Sequence, residues 1–323
     1  QTAWLKYYYP VEFMAALMTS VIDNSTKVSE YIQVCRGMGI QVLPPDINCG
    51  DGPFTVDGGA IRYGMYAIKS VGRPVIDFIR QERQERGPFK TLEDFITRVN
   101  GREVNKRTIE NLIKAGALDN LDGNRRQMTM IFPSILDNVN NEKKNSMAGQ
   151  MTLFDIAGED VKSEFEIRMP DVEEFPREML LMFEKEVLGV YISGHPLEEY
   201  LDVMDKNVTA RSDEFVVDEE IGMAKIPDGR EVVIGGMITE KTVKYTKNNQ
   251  AMAFVTLEDL VGSVEGIVFP RDYEKYRDLL VEDNKVFIQG RTSVEEEKDA
   301  KLICREVHGF DEGRKELWIQ FPD

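Results

Sequence analysis

The residues best suited to chemistry in this sequence are cations beside two glycine turns. The stretch from Ala67 to Ile79 has the form helix, turn with Gly72, helix, and a second apolar helix at residues 109–113 runs into Gly116. In a helix-hairpin-helix motif, the hairpin and the start of the following helix present backbone N–H groups to one DNA phosphate without reading bases. The sequence therefore predicts two phosphate-binding hairpins, with an ordinary glycine-capped helix pair as the alternative.

Basic and turn residues around both hairpins are the predicted duplex-DNA contacts. They are Lys69, Val71, Gly72, Arg73, Lys106, Arg107, Gly116, Arg125 and Arg126. Residues 62–126 hold 14 Lys and Arg against 9 Asp and Glu, net +5, in a chain of net charge −17. Residues 155–220 hold 6 against 20, net −14, which indicates an acidic connector. A positive surface is what a polyanion requires, so the basic module is expected to bind DNA; a solvated basic face is the alternative.

A short apolar peptide follows a polar stretch in the middle of the chain. Residues 138–150 lack apolar periodicity, which predicts a mobile linker. Leu153 and Phe154 end this stretch with no obvious core to bury them. Exposed apolar anchors on a flexible segment are typical of a peptide that docks in a partner's pocket, although the segment could instead fold back on its own domain. The predicted docking residues are Gln150, Met151, Leu153 and Phe154.

Three lysines surround a tyrosine in a turn of the C-terminal region. These residues are Lys241, Lys244, Tyr245 and Lys247. Cations beside an aromatic platform are what single-strand binding uses. From residue 221 to the end the chain holds 15 Lys and Arg against 20 Asp and Glu, net −5, so a local basic patch is needed here. The turn is the predicted single-strand contact, with a solvated hairpin as the alternative.

Residues for catalysis or metal binding are not apparent. His195 and His308 are the only histidines, no serine or cysteine has an obvious base, and no Gly-x-x-x-x-Gly-Lys loop occurs. Cys35, Cys49 and Cys304 are too scattered for a disulfide framework or a four-ligand zinc site. No apolar stretch approaches the roughly 18 residues of a membrane span. We predict no catalytic residue, no cofactor, no metal site and no membrane partner, in a cytoplasmic protein.

Helical periodicity dominates up to about residue 136. A helix with proline in its first turn starts at Pro10, and Thr26 to Met38 form the next. A turn with two glycines joins residues 54–56 and 61–63 into a predicted hairpin. Residues 178–191 indicate an amphipathic helix within the acidic connector. The chain is thus expected to present its basic hairpins from a helical scaffold.

The final hundred residues change from helical to alternating periodicity. Five strands are predicted, at Val232–Thr242, Ala251–Leu257, Val264–Phe269, Val286–Val294 and Leu302–Val307. A helix at residues 272–280 lies between the third and fourth strands, an order typical of the five-stranded oligonucleotide-binding (OB) barrel. The fold class expected for the whole chain is therefore multidomain α+β.

Many short motifs resemble one family, the C-family DNA polymerases, which are the alpha subunits of bacterial DNA polymerase III. They are Gln1-Thr2-Ala3-Trp4-Leu5-Lys6, Tyr9-Pro10-Val11-Glu12-Phe13-Met14-Ala15-Ala16, Leu43-Pro44-Pro45-Asp46-Ile47-Asn48, Tyr63-Gly64, Ala67-Ile68-Lys69, Gly87-Pro88-Phe89, Asn105-Lys106-Arg107, Ala115-Gly116-Ala117 and Gly194-His195-Pro196. The resemblance runs through most of the chain. It implies a C-terminal fragment of the replicative subunit.

The resemblance implies a division into domains. These are the end of the fingers domain (1–60), a clamp-binding domain with tandem helix-hairpin-helix units (61–157), the acidic connector (158–228), the OB domain (229–312) and the start of a further region (313–323). Gln150 to Phe154 matches the family's sliding-clamp peptide, Gln-x-x-Leu-Phe. The implied partners are DNA, the sliding clamp (the beta subunit) and other replisome subunits.

The fragment departs from the family in two ways. Ser70 and Val75 stand where the first hairpin usually has a glycine and a small residue. The family's palm domain needs clustered aspartates to hold two Mg²⁺ ions, and the segment around Asp46 carries one carboxylate, so we interpret it as structural. The resemblance implies a nucleotidyltransferase parent and a fragment inactive alone. A stand-alone nucleic-acid-binding module and the same region of an error-prone paralogue are the alternatives.

Overall fold

The computed structural model describes residues 2–101, 104–147, 168–218 and 222–310, with backbone only for 142–147. The chain forms two compact units, which divide between Gly194 and His195. The helices of the first unit are α1 Thr2–Tyr8, α2 Pro10–Ser20, α3 Ser25–Gly37, α4 Arg73–Arg86, α5 Leu92–Val99, α6 Lys106–Lys114, α7 Arg125–Met147 and α8 Arg177–Leu188.

Local sequence signals explain where several of these helices begin and end. Pro10 occupies the first turn of α2, where its missing N–H costs nothing. Asn105 caps α6, its side chain accepting the Thr108 N–H at 3.0 Å. Gly189, with φ +80°, ends α8 in the left-handed conformation that glycine adopts readily.

A small three-stranded sheet completes the first unit. Its strands are β1 Val42–Leu43, β2 Thr55–Asp57 and β3 Ala60–Arg62, in the order β1-β3-β2. The antiparallel β2–β3 pair is the predicted hairpin, and its turn glycines, Gly58 and Gly59, both have positive φ. β1 pairs with β3 in parallel, so this sheet crosses the predicted boundary at residue 60.

One continuous core joins regions that the sequence assigns to different domains. Met18 of the predicted fingers part, Ile76 and Leu112 of the hairpin region and Leu188 of the predicted connector all belong to it, and all are fully buried. The helical part of the chain is therefore one compact unit, and the boundaries predicted near residues 60 and 157 do not divide it.

The predicted mobile linker is wrong over most of its length. α7 extends to Met147, so residues 138–147 are helical rather than irregular. Val139 is buried in the core of the first unit, and Asn100 Nδ2 donates to Asn140 Oδ1 at 3.1 Å. These tertiary contacts stabilise a segment whose own periodicity does not favour a helix.

The second unit begins with short elements and continues into a barrel. The first elements are α9 Leu201–Asn207, β4 Val217–Asp218 and β5 Met223–Ala224. The barrel consists of β6 Glu231–Tyr245, β7 Ala251–Glu258, β8 Ser263–Val268, β9 Lys285–Ser293 and β10 Lys301–Gly309, with α10 Pro270–Tyr276 between β8 and β9. This arrangement confirms the α+β fold class and the predicted OB barrel.

Pairing around the barrel closes the sheet. β6 pairs with β7 and β9, β7 with β8 and β9 with β10, all antiparallel, and the parallel β8–β10 pair completes the circle. Alternate side chains such as Ile234, Val255 and Leu302 fill the interior. At Gly290 an added Cβ would collide with the Ile303 carbonyl of β10, which explains a glycine within a strand.

Among the described residues, no helix is long and apolar enough to cross a membrane.

Candidate nucleic-acid interface

Basic side chains from separate elements line a cleft in the first unit. The cleft has a volume of about 470 Å³ and is lined by Lys69, Ser70, Lys106, Arg107, Glu110, Asn111, Lys114, Glu186 and Val187. Lys69, Lys106 and Arg107 were predicted as DNA contacts, and the fold brings them together although α4 and α5 lie between them in the chain. A concave surface with four cations suits a phosphate backbone.

Lys114 is a cleft residue that the sequence analysis missed. It ends α6, seven positions after Arg107, and this spacing places both side chains on one face of the helix. Burial lowers the pKa of Lys114, but hydrogen bonds to Glu186 and Glu110 outweigh it and raise the pKa above its usual value. Lys114 is therefore charged throughout the physiological range.

The first hairpin presents unused backbone donors. A single 3₁₀ turn, Met65–Ala67, takes the place of the predicted first helix, and α4 follows with Gly72 as its N-cap. Within the described residues, the N–H groups of Ser70, Gly72 and Arg73 have no hydrogen-bond acceptor. Three free donors at the start of a 14-residue helix form the arrangement that binds phosphate in this motif.

Ser70 keeps the hairpin geometry without glycine. Its φ of +61° lies in the left-handed region, which costs a non-glycine residue about 1 kcal/mol or more. Neighbouring contacts hold it there: Lys69 N–H donates to the Val187 carbonyl at 2.8 Å, and Asn111 Nδ2 donates to the Lys69 carbonyl at 2.8 Å. Val75, the second departure from the family, is simply buried in the core.

The other predicted residues of the first hairpin have different roles. Arg73 is exposed, pairs with Asp23 at 2.7 Å and lies over the Tyr66 ring, so it is accessible to DNA. Val71 is buried, and its N–H already donates to the Ile68 carbonyl at 3.3 Å. Val71 is therefore a packing residue, contrary to its predicted role.

The start of α7, after the second hairpin, has its donors occupied. Asn124 and Gln127 form a reciprocal pair, each side-chain oxygen accepting the other's backbone N–H at 2.8 Å. The carboxylate of Glu174 accepts the N–H groups of Arg125 and Arg126 at 2.9 and 3.0 Å. In this conformation the second hairpin offers no free N–H at the start of its helix.

Arg125 and Gly116 differ from the prediction because both face the interior. The Arg125 side chain is 8% exposed, hydrogen-bonds Asp119 at 2.7–3.2 Å and lies 3.8 Å from the fully buried Glu184. Burial alone would lower its pKa, but Asp119 and Glu184 raise it above the usual value. A Cβ on Gly116 would collide with the Arg125 guanidinium. Both residues are structural, whereas the neighbouring Arg126 is exposed.

Replacing Arg125 with Met is expected to destabilise the first unit by about 3 to 5 kcal/mol, because it leaves the buried Glu184 carboxylate with two backbone N–H donors but no cation. Urea unfolding followed by circular dichroism measures the change. The control is Arg126→Met, an exposed neighbour expected to change stability by about 0.5 kcal/mol or less. Equal unfolding midpoints for the two variants would show that Arg125 does not compensate Glu184.

The predicted clamp peptide, Gln150, Met151, Leu153 and Phe154, lies outside the described residues. The helix α7 is described as far as Met147. Whatever its conformation, the peptide follows a long helix rather than a 12-residue irregular linker.

The four residues predicted for single-strand binding do not form one patch. β6 continues to Tyr245, so the turn begins later than predicted. Successive strand residues point to opposite faces, which separates Lys244 from Tyr245. Lys244 lies 4.7 Å over the Phe254 ring, whereas Tyr245 is 70% exposed and shares a face with Lys241. Lys247 lies in the turn itself.

A second basic and aromatic cleft lies beside this hairpin. It has a volume of about 650 Å³ and is lined by Gln250, Ala251, Phe269, Pro270, Arg271, Tyr273, Glu274 and Arg277. Phe269 is 46% exposed at the start of α10, and Arg271 and Arg277 are exposed beside it. Cations beside an exposed ring suit a stacked base. The sequence signal was the run Phe269-Pro270-Arg271, which the prediction did not use.

The described part of the chain has no group of three or more His, Cys, Asp or Glu side chains arranged to hold a metal ion. Asp46, the carboxylate that resembled a metal ligand, is buried. Its Oδ1 accepts the N–H groups of Asn48 and Cys49, and its Oδ2 accepts from Asn120. These contacts are those of a structural residue that fixes a turn.

Comparisons with known proteins agree with both halves of the fold. Residues 39–128 match the helix-hairpin-helix motif family, and residues 232–308 match the family of OB-fold nucleic acid binding domains. Among solved structures, the SSB domain of a Synechococcus protein is similar to 26% of this chain and 98% of its own, with 17% identity and a TM-score of 0.22.

Curated relatives match nearly the whole chain. The DNA polymerase III subunit alpha of Saccharopolyspora erythraea is 37% identical over 91% of this chain and 25% of its own length. The Escherichia coli subunit of the same name is 32% identical over 98% of this chain and 27% of its own. This chain spans about a quarter of the length of these relatives. Over nearly its whole length, with a helix-hairpin-helix match and an OB-fold match inside the same span, the chain is therefore similar to about a quarter of a DNA polymerase III alpha subunit.

Proposed function

We propose that this chain is a non-catalytic part of a replicative DNA polymerase that binds duplex product DNA, tethers the enzyme to the sliding clamp and contacts single-stranded template. The whole protein is then a DNA-directed DNA polymerase whose Mg²⁺-binding aspartates lie elsewhere. Other replisome subunits are its further partners, in the cytoplasm. This chain alone is expected to be inert as a catalyst.

The single observation that supports duplex binding most directly is the basic cleft beside the first hairpin. Lys69, Lys106, Arg107 and Lys114 line it together with Ser70, whose backbone N–H has no acceptor among the described residues. Backbone donors and lysines contact phosphates without reading sequence. Weak sequence preference is what a polymerase needs, because it must follow any product duplex.

The test is the affinity of the chain for a short duplex as a function of salt. Four cations predict a slope of log affinity against log salt of about −3.6. Between roughly 50 and 200 mM salt the affinity should therefore fall about 100-fold. Two duplexes of different sequence should give the same slope and similar affinities. Salt-independent binding, or strong preference for one sequence, would contradict the proposal.

We assign single-strand binding to the barrel, where two surfaces are candidates, one around Tyr245 and one around Phe269. Tyr245→Ala is expected to weaken binding of a single-stranded oligonucleotide about 5- to 100-fold, because a stacked base contributes about 1 to 3 kcal/mol. Fluorescence anisotropy measures this best with Lys106 and Arg107 changed to Glu, so that the hairpins do not contribute. Phe269→Ala is the comparison. Loss in that variant instead would place the strand in the second cleft, and no loss in either would remove the assignment.

A further inference from the structure

Two glutamates of the segment 170–187 accept hydrogen bonds from groups that are suited to bind a DNA phosphate. Glu174 accepts two backbone N–H groups at the start of α7, at 2.9 and 3.0 Å. Glu186 accepts from Lys114 Nζ in the basic cleft, at 2.9 and 3.1 Å. Helix-terminal N–H groups and lysine ammonium groups are also what a DNA phosphate binds. The same groups therefore serve two competing anions.

The starts of α4 and α7 differ in whether their backbone N–H groups have an acceptor. At the first hairpin, three N–H groups near Gly72 have no acceptor within the described residues. At the start of α7, nine positions after Gly116, Glu174 accepts the N–H groups of Arg125 and Arg126. A carboxylate is planar and carries one negative charge, so it can occupy the position of a phosphate at a helix start.

Glu174 shares the capping of α7 with a reciprocal pair. Asn124 and Gln127 accept each other's backbone N–H, and Glu174 accepts the remaining N–H groups, of Arg125 and Arg126. The segment is brought to the helix start by two further contacts, from Asn124 Nδ2 to the Val172 carbonyl at 3.0 Å and from Gln127 Nε2 to the Pro170 carbonyl at 2.7 Å. These contacts hold the chain in place, while the carboxylate is the part that resembles a phosphate.

The two contacts differ in their exposure to solvent. Glu174 is half-buried, and its carboxylate also accepts the N–H of Phe175 at 2.8 Å, whereas the Glu186 side chain is 57% exposed. Exposed ion pairs contribute little free energy and are weakened by salt, so a polyanion that contacts several groups at once can displace them. A buried pair such as Arg125 with Glu184 lacks this property.

We propose that the segment 170–187 is an internal competitor of duplex DNA, and that bound phosphates displace Glu174 from the start of α7 and Glu186 from Lys114. This proposal rests on the duplex-binding function proposed above and adds a regulation of the same site. Competition from the carboxylates of Glu174 and Glu186 lowers the affinity of the chain for short or partial duplexes. A duplex long enough to reach both hairpins displaces both glutamates.

The experiment measures the affinity of the chain for a short duplex in Glu174→Gln, Glu186→Gln and the double variant. Gln keeps the shape and an acceptor oxygen but removes the charge. Each single variant should bind about 5-fold tighter or more, and the double variant tighter still.

Glu173→Gln is the matched control. Glu173 is exposed, adjacent to Glu174 and equal in charge, but no described N–H group donates to it. Its removal should change the affinity by less than about 2-fold, which measures the general effect of lost negative charge. Unfolding midpoints of all variants should match the parent. Affinities of Glu174→Gln and Glu186→Gln equal to that of the control would overturn the competition.

The outcomes separate this inference from the proposed function. If the parent chain binds duplex DNA and the glutamate variants bind no tighter, the competition is refuted and duplex binding stands. If the parent does not bind but the double variant does, both proposals are supported and the competition is strong. If neither binds, both are refuted.

Discussion

Reversing the charges of Lys106 and Arg107 to Glu is expected to reduce the affinity for duplex DNA about 100-fold or more at physiological salt. Both side chains are exposed and line the basic cleft at the start of α6. The change removes two of the four cleft cations and adds two anions, so the salt slope should become shallower by about 1.8. Anisotropy titrations with a labelled duplex at several salt concentrations measure both quantities.

This variant tests DNA binding, and we expect it to leave the stability of the fold unchanged. Glutamate at the first two positions of α6 interacts favourably with the helix dipole, and the Asn105 cap is untouched. The control is Arg80→Glu with Lys90→Glu, an equal change of charge at exposed positions outside the cleft. An equal loss in both variants would indicate a general charge effect and no specific site. Unchanged affinity would refute duplex binding through the cleft.

Replacing Leu153 and Phe154 with Ala is expected to abolish binding to the purified sliding clamp. Fully burying one such side chain contributes about 1.5 to 3 kcal/mol, so losing both should weaken binding by about 100-fold or more. Isothermal titration calorimetry with the clamp measures the change. Thr152→Ala is the matched control, because the family's peptide accepts any residue at that position. Parent-like affinity of the double variant would refute the assignment.

The structure bears on the linker of the proposed tether. A 12-residue irregular linker would let the peptide search a wide volume. Residues 125–147 instead form one helix, α7, with Pro133 inside it. The described part of the predicted linker, residues 138–147, is therefore helical.

Both halves of the fold were predictable because they depend on local pattern. The barrel follows from alternation along each strand and from the place of α10 between the third and fourth strands. The hairpin positions follow from Gly72 and Gly116, and the start of α6 from Asn105. Each signal lies within a few residues of the structure that it determines.

The site residues were predictable only where exposure follows from helix position. Lys106 and Arg107 lie on the outer face of α6, as expected for adjacent cations at a helix start. Arg125 and Arg126 look equivalent in sequence, yet Arg125 is buried and Arg126 exposed. Arg125 contacts Asp119, six positions earlier, and Glu184, 59 positions later, and periodicity reveals neither contact.

The sequence by itself determined the barrel, the positions of the two glycine turns and the basic character of residues 62–126, since strand alternation, glycine turns and charge counts are local properties. Only the tertiary structure decided which cations share a cleft, that residues 138–147 are helical, and that Glu174 occupies the start of α7. These features are contacts between distant segments. A charge or an N–H group acquires its partner only when the chain packs, and that partner decides whether it is free to bind DNA.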